Sequence, residues 1–178
     1  IKEWIKHWKK AVLVDNPLAS FRFVESFKML AARVEYHMSK INGKVLVVTS
    51  VCENEGKSSV AVNLAITLAK KGKRVILFDG DIRCPAQYLL LGMSPKKENE
   101  LGEFLNGRTG ANNILLNTER KRLGFIGGKV SYSASTEMLG NRQLPVLIEA
   151  CSKIVDYVII DTPPSGMIGD AQIFAQHA

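Results

Sequence analysis

Lys44-Val45-Leu46-Val47-Val48-Thr49-Ser50-Val51-Cys52-Glu53-Asn54-Glu55-Gly56-Lys57-Ser58-Ser59, running on into the apolar stretch Val60 to Ala69, is the segment from which the fold can be read. A β-branched run, a short polar turn and a longer apolar run in direct succession predict a strand, a loop and a helix. Such a loop aims several backbone N–H groups and the positive end of a helix dipole at one spot, which suits a polyphosphate. Lys57 adds a mobile positive charge for the β- and γ-phosphates, and the Ser58 hydroxyl is placed to ligand magnesium against the same oxygens. Cys52, Glu53, Asn54, Glu55, Gly56, Lys57, Ser58 and Ser59 are therefore the candidate cradle for a nucleotide. The pattern departs from the usual one at its first position, where Val51 replaces a glycine, and an ordinary strand-to-helix turn is the alternative.

Two further strings bear on that choice. Arg74-Val75-Ile76-Leu77-Phe78 delivers Asp79-Gly80-Asp81-Ile82-Arg83, and Tyr157-Val158-Ile159-Ile160 delivers Asp161-Thr162-Pro163-Pro164. Continuous rather than alternating apolar runs mark strands covered on both faces, which is the habit of parallel sheets. Ligands of such sheets collect at the carboxyl ends of the strands, where Asp79, Asp81, Asp161 and the loop would meet. Magnesium takes oxygen ligands and keeps several waters, so aspartates beside a phosphate loop suit it. The alternative is that these aspartates only cap helices or turns.

The three strings together resemble the Walker A, Walker A′ and Walker B motifs of the bacterial tyrosine kinases, the BY-kinases of capsule and exopolysaccharide synthesis. The similarity extends from about Asn16 to the end of the chain and includes Ser135-Thr136-Glu137-Met138-Leu139, similar to the family's helix start before the last strand. The resemblance implies an α/β fold with a P-loop NTPase-like, mostly parallel sheet and helices on both faces. It implies ATP and Mg2+ as cofactors and transfer of the γ-phosphoryl group to tyrosine hydroxyls, commonly on a chain's own or a neighbouring copy's tyrosine-rich tail. A phenol with a pKa of about 10 is mostly protonated at neutral pH, so a base or metal charge helps it attack. By the resemblance Lys57, Asp79 and Asp81 are the catalytic residues, with Asp79 as base and metal organiser. Ser58, Asp79, Asp81 and Asp161 form the expected metal set. Arg83 has two readings, reaching phosphate or pairing with an acidic neighbour.

P-loop ATPases of the partition and division-site type are the competing enzymes, but they carry a second lysine early in the loop, where this chain has Cys52. A non-catalytic, ATP-dependent scaffold of a polysaccharide export complex is the competing non-enzyme. Several family positions are altered. Glu53 stands where proline is frequent, and an additional carboxylate there opposes phosphate unless it faces solvent. Cys84 follows Arg83 in place of a basic residue. Glu25, Lys28 and Ala31 occupy a Glu-Arg-Arg pattern implicated in ring assembly, where lysine lacks the bidentate fork of arginine and alanine offers no donor. The resemblance thus implies a homo-oligomer weakened by Ala31. The alternative for this helix is an amphipathic surface element turning Phe21, Val24, Phe27 and Leu30 to the core.

The chain has 178 residues, 46% of them hydrophobic, enough for one substantial core. No stretch is long and apolar enough to cross a bilayer. Cys52, Cys84 and Cys151 have no metal-like spacing and suit a reducing compartment. A net charge of +7 raises the question of nucleic acid. The charges are scattered, without the aromatic interleaving of a base-stacking surface, so no nucleic acid partner is predicted. An acidic membrane surface or a membrane-spanning adaptor, fused or separate, fits better, at the cytoplasmic face of the bacterial inner membrane. Residues 1–15 read as a basic amphipathic segment, with Ile1, Trp4, Ile5 and Trp8 on one helical face and Lys2, Lys6, Lys9 and Lys10 on others. Residues 16–178 read as the kinase domain, expected to be truncated at its C-terminus, because the resemblance implies further strands and a tyrosine cluster.

Elsewhere the pattern predicts a helix from the Asp15-Asn16-Pro17 break to about Met38, and Gly72 closing the loop helix. A short helix is expected at Leu101 to Asn106 and a strand at Leu123-Gly124-Phe125-Ile126. Glu137 to Ile154 reads as a helix, with Pro145 as its point of interruption.

Overall fold

The structure, a computed structural model, describes residues 12–133, 135–165 and 170–176. The predicted amphipathic segment at Ile1 to Lys10 lies outside the described residues.

The first element among the described residues is helix α1 (Phe21–Ile41), opened by Ser20, whose hydroxyl accepts from Phe23 N, and closed by Asn42 in the left-handed region. Strand β1 (Val45–Val48) leads through the loop into α2 (Lys57–Lys70), and β2 (Val75–Asp79) follows. Between β2 and the rest of the sheet lie short helices α3 (Gln87–Leu91), α4 (Leu101–Leu105) and α5 (Ala111–Ile114), with a 3-10 turn at Lys97–Asn99. The chain continues with β3 (Leu116–Asn117), β4 (Leu123–Ile126), α6 (Ser135–Leu139), α7 (Gln143–Ile154), β5 (Tyr157–Asp161) and α8 (Asp170–Ala175).

The sheet has the order β1-β5-β2-β4-β3. The first four strands are parallel and β3 runs antiparallel at the edge, so the expectation of a mostly parallel sheet holds. The apolar runs of β2 and β5, inside the sheet, are buried on both faces for a simple reason, while the edge strand β1 is half-buried. Successive side chains of a strand alternate, so Val75, Leu77 and Ile159 pack under α1 and α2, while Ile76, Phe78, Val158 and Ile160 pack against α4, α6, α7 and α8.

Two local expectations change. The buried stripe of α1 is Phe23, Phe27, Leu30, Ala31, Val34 and Met38, whereas Phe21 is 78% exposed. Phe21 is the first residue after the cap, and the helix phase set by Ser20 turns it outward. The break in the predicted 137–154 helix falls at Gly140-Asn141-Arg142, and Pro145 sits inside the first turn of α7, where its missing N–H costs nothing.

Candidate active site

The carboxyl ends of β1, β5 and β2 bring together the loop after Val48, the Asp161-Thr162-Pro163-Pro164 segment and the Asp79 to Cys84 segment. They enclose a cavity of about 170 Å³ whose lining includes Glu53, Asn54, Gly56, Lys57, Ser58 and Asp81. Arg83, Cys84, Pro163 and Pro164 complete the wall. Of the loop residues singled out from sequence, Cys52, Glu55 and Ser59 do not line it.

The loop holds its shape by its own bonds. Asn54 and Gly56 both adopt positive φ, 62° and 87°, conformations that asparagine tolerates and glycine takes freely. The Glu55 carboxylate accepts from Val51 N at 2.9 Å and Cys52 N at 3.1 Å, so it is spent on the loop backbone rather than facing a phosphate. Glu53 is exposed and borders the cavity. Gly56 precedes the first turn of α2, leaving the free N–H groups of that turn at the cavity.

Lys57 Nζ stands 3.4 Å from Ser58 Oγ and 3.5 Å from Asp81 Oδ2. This contact is largely buried, with the two side chains 14% and 9% exposed. Asp81 Oδ1 also accepts from Cys84 N at 3.0 Å. Burial raises the Asp81 pKa, and the neighbouring Lys57 charge opposes that rise.

Asp79 and Asp161 occupy directly opposed positions on β2 and β5. Neither lines the cavity, because both are sealed beneath it, 1% and 0% exposed. Asp79 Oδ2 accepts from Ala86 N at 3.0 Å and Gln87 N at 2.9 Å, capping α3, which is the helix-capping alternative read from the sequence. Gln87, fully buried, ties the motifs together: its Nε2 donates to Ser58 O at 3.0 Å and to Asp161 Oδ2 at 2.8 Å. Burial raises both carboxyl groups. Asp161 rises to about 6, Lys57 pulling it back, and Asp79 is driven well above its ordinary value by burial and then by the Asp161 charge.

Of the expected metal set, Ser58 and Asp81 line the cavity, whereas Asp79 and Asp161 lie buried beneath it, with the Asp79 carboxylate bonded to Ala86 N and Gln87 N. Among the described residues no group of three or more His, Cys, Asp or Glu is arranged around a single metal position. A divalent cation nonetheless fits the cluster by one observation: Asp79 Oδ1, Asp161 Oδ1 and Gln87 Oε1 are buried acceptors without a partner among the described residues. Orphaned acceptors of this kind ask for a donor or a positive charge, and a hydrated magnesium ion supplies both.

Arg83 resolves toward pairing while still bordering the cavity. Its Nε lies 3.4 Å from Asp170 Oδ2 and one Nη donates to Thr136 Oγ1 at 3.0 Å. Thr136 in turn donates to Asp170 Oδ1 at 2.6 Å, joining the starts of α6 and α8 to the Asp81 segment. Asp170 and Gln87 were not legible as site residues. Each is a lone polar residue beside an apolar run, and its partners lie far away in sequence.

Comparison with known proteins agrees with this fold. The AAA domain family, AAA_31, matches residues 43–175. The tyrosine-protein kinase CpsD of Streptococcus agalactiae is 34% identical over 164 residues, covering 92% of this chain and 70% of that protein. The BceF tyrosine kinase domain superposes with a TM-score of 0.78 at 32% identity, covering 87% of this chain and 61% of that one. The kinase domain of Escherichia coli tyrosine kinase ETK gives a TM-score of 0.84 at 25% identity, covering 93% and 63%. With a third of its positions shared across nearly its whole length, the chain belongs to the bacterial tyrosine-protein kinase family.

Proposed function

We propose that this chain is the ATP-binding catalytic domain of a protein-tyrosine kinase that regulates capsular or exopolysaccharide synthesis and export. The observation that carries the reading is the placement of Lys57 between Ser58 and Asp81 on the wall of a cavity roofed by the phosphate loop.

The loop amides and the first turn of α2 bind the β- and γ-phosphates, and Lys57 moves from Asp81 to the γ-phosphoryl oxygens as ATP enters. Ser58 would hold magnesium, and Asp81, Asp79, Asp161 and Gln87 would hold its waters. When bound, the ion offsets phosphate charge and sets the triphosphate geometry. The tyrosine oxygen forms the new bond to the γ-phosphorus, the bond to the β–γ bridging oxygen breaks, and the phenol proton passes to Asp81. Asp81 is the carboxylate on the cavity wall and so the one within reach of that proton, and Asp79 serves by capping α3 and so fixing Gln87.

The acceptor is a tyrosine-rich tail, the chain's own or a neighbour's. The working partner is a membrane-spanning adaptor, fused or separate, at the cytoplasmic face of the inner membrane. No helix among the described residues is long and apolar enough to cross a bilayer. Assembly through α1 is weakened, since Ala31 is fully buried and Lys28 pairs with Glu25 of its own helix at 2.8 Å.

The test is to incubate the protein with its adaptor, ATP and magnesium, and to compare phosphotyrosine with that of Lys57→Met. Loss of phosphotyrosine in the variant supports the proposal. Equal labelling removes it, assembly on ATP without labelling favours a scaffold, and phosphate release without labelling favours a simple ATPase.

A further inference from the structure

Parallel strands all begin at the same pole of the sheet, so the residues that open them are gathered there whatever their distance in sequence. Lys44 opens β1, Arg74 opens β2 and Arg122 opens β4. Backbone bonds stitch these starts into a row: Val158 N donates to Lys44 O at 2.8 Å, Asp156 N to Arg74 O at 2.9 Å and Val75 N to Arg122 O at 2.9 Å. Neighbouring strands lie about 4.8 Å apart, so the row is a compact one. Helix α2 runs back against the strands and ends at the same pole with Lys70, then Lys71 and Lys73. Arg120 and Lys121 stand beside Arg122 on the rim of a cavity of about 330 Å³ at the openings of β2 and β4.

Several of these charges are already paired on the surface: Arg74 with Asp156, Arg120 with Asp15, and both Lys71 and Lys73 with Glu35. Lys70, Lys121 and Arg122 are exposed and make no ion pair among the described residues. The opposite pole is acidic, with Glu53, Glu55, Asp81, Glu100, Asp161 and Asp170 set against Lys57, Arg83 and Lys129. The molecule is therefore polarised along the strand direction, basic where the strands start and acidic where the nucleotide cavity opens.

Exposed apolar side chains decide what kind of anion this pole faces. Ile41, at the end of α1, is 73% exposed and Ile154, at the end of α7, is 52% exposed. Lys44 lies between them, its Nζ donating to Ser152 O at 3.0 Å. A nucleic acid backbone or a free acidic solute leaves both isoleucines wet. A bilayer buries them at the level of its headgroups while its surface charge holds the lysines and arginines.

We propose that this pole docks directly on an anionic lipid bilayer, independently of ATP and of any adaptor. Docking this way holds the acidic, nucleotide-binding pole away from the membrane, where ATP and tyrosine segments reach it. The proposal does not rest on the kinase reading.

The test is flotation of the full chain, without nucleotide, on vesicles of phosphatidylcholine with and without phosphatidylglycerol. Binding is expected only with phosphatidylglycerol and weakens with salt. Replacing Lys70, Lys121 and Arg122 together with alanine lowers vesicle affinity on the order of 100-fold, since each surface cation contributes roughly fivefold. Ile41→Ser with Ile154→Ser lowers it severalfold without changing its salt dependence. Lys96→Ala with Lys97→Ala, in the loop before α4, leaves it unchanged, and Lys57→Met binds as the parent does. Residues 1–11 are retained in every variant, so the differences report this pole alone. Equal binding to neutral vesicles, no effect of the triple variant, or an equal loss in the Lys96/Lys97 variant overturns the proposal. So does a triple variant that loses single-stranded RNA binding but keeps vesicle binding. Retained circular dichroism and melting temperature confirm that the surface variants are folded.

Discussion

Replacing Asp161 by asparagine should make the metal-free protein more stable at neutral pH, because the carboxylate is held where its charge is costly. Asp161 is fully buried and its pKa is raised from the ordinary 3.8 to about 6, burial being the main cause. A carboxyl whose folded pKa lies above its unfolded one contributes stability that is present in full below pH 3.8 and is lost as pH climbs through about 6. At about 1.4 kcal/mol per pH unit, ionised Asp161 costs the folded chain about 3 kcal/mol above pH 6. Asparagine removes that cost. Its carbonyl still accepts from Gln87 Nε2, and the pressure on Asp79 is relieved. Urea unfolding in EDTA at pH 8 should show a gain of up to about 3 kcal/mol, equivalent to roughly 6–12 °C in Tm for a domain of this size. At pH 4 the gain should shrink below about 1 kcal/mol. Magnesium should stabilise the parent protein at pH 8 more than the variant. An asparagine variant no more stable than the parent at pH 8 in EDTA, or one equally stabilised at both pH values, would refute the reasoning.

Other substitutions test neighbouring parts of the argument. Gln87→Leu cuts the links to Ser58 O and Asp161 and should weaken magnesium binding about 10- to 100-fold by calorimetric titration with ATP present. Gly80→Ala places a methyl group 2.7 Å from the Phe174 ring and 2.9 Å from Asp161 O, so thermal unfolding should show a loss of about 1–3 kcal/mol. Asn63→Leu orphans Val14 N, which now donates to Asn63 Oδ1 at 2.7 Å, and it releases Val12 O. A loss of about 1–3 kcal/mol is expected, with faster proteolysis before Ser20 if the segment detaches.

Much of the architecture was legible because it is written in contiguous strings. Val45 to Val48, Val75 to Phe78 and Tyr157 to Ile160 read as doubly covered strands; Val75 to Phe78 and Val158 to Ile160 are buried between two helical layers as that reading required, whereas Val45 to Val48, at the sheet edge, are half-buried. The phosphate loop was legible for the same reason, since its glycine, lysine and serine are adjacent and open a helix directly. The kink at Pro145 was misread because proline is disruptive only beyond the first turn, and the sequence does not mark which residue starts α7. Phe21 was misassigned because the helix phase depends on where Ser20 caps it.

Sequence alone determined the four parallel strands, the loop, the family and the cluster of aspartates at strand ends, because each depends on neighbours along the chain; the antiparallel edge strand β3 was not among them. Only the tertiary structure decided that Asp81 faces the cavity while Asp79 and Asp161 lie sealed beneath it, that Gln87 joins all three motifs, and that the basic residues collect at one pole. The physical reason is that burial and hydrogen-bond partnership are set by side chains dozens of residues apart, brought together only when parallel strands align in register.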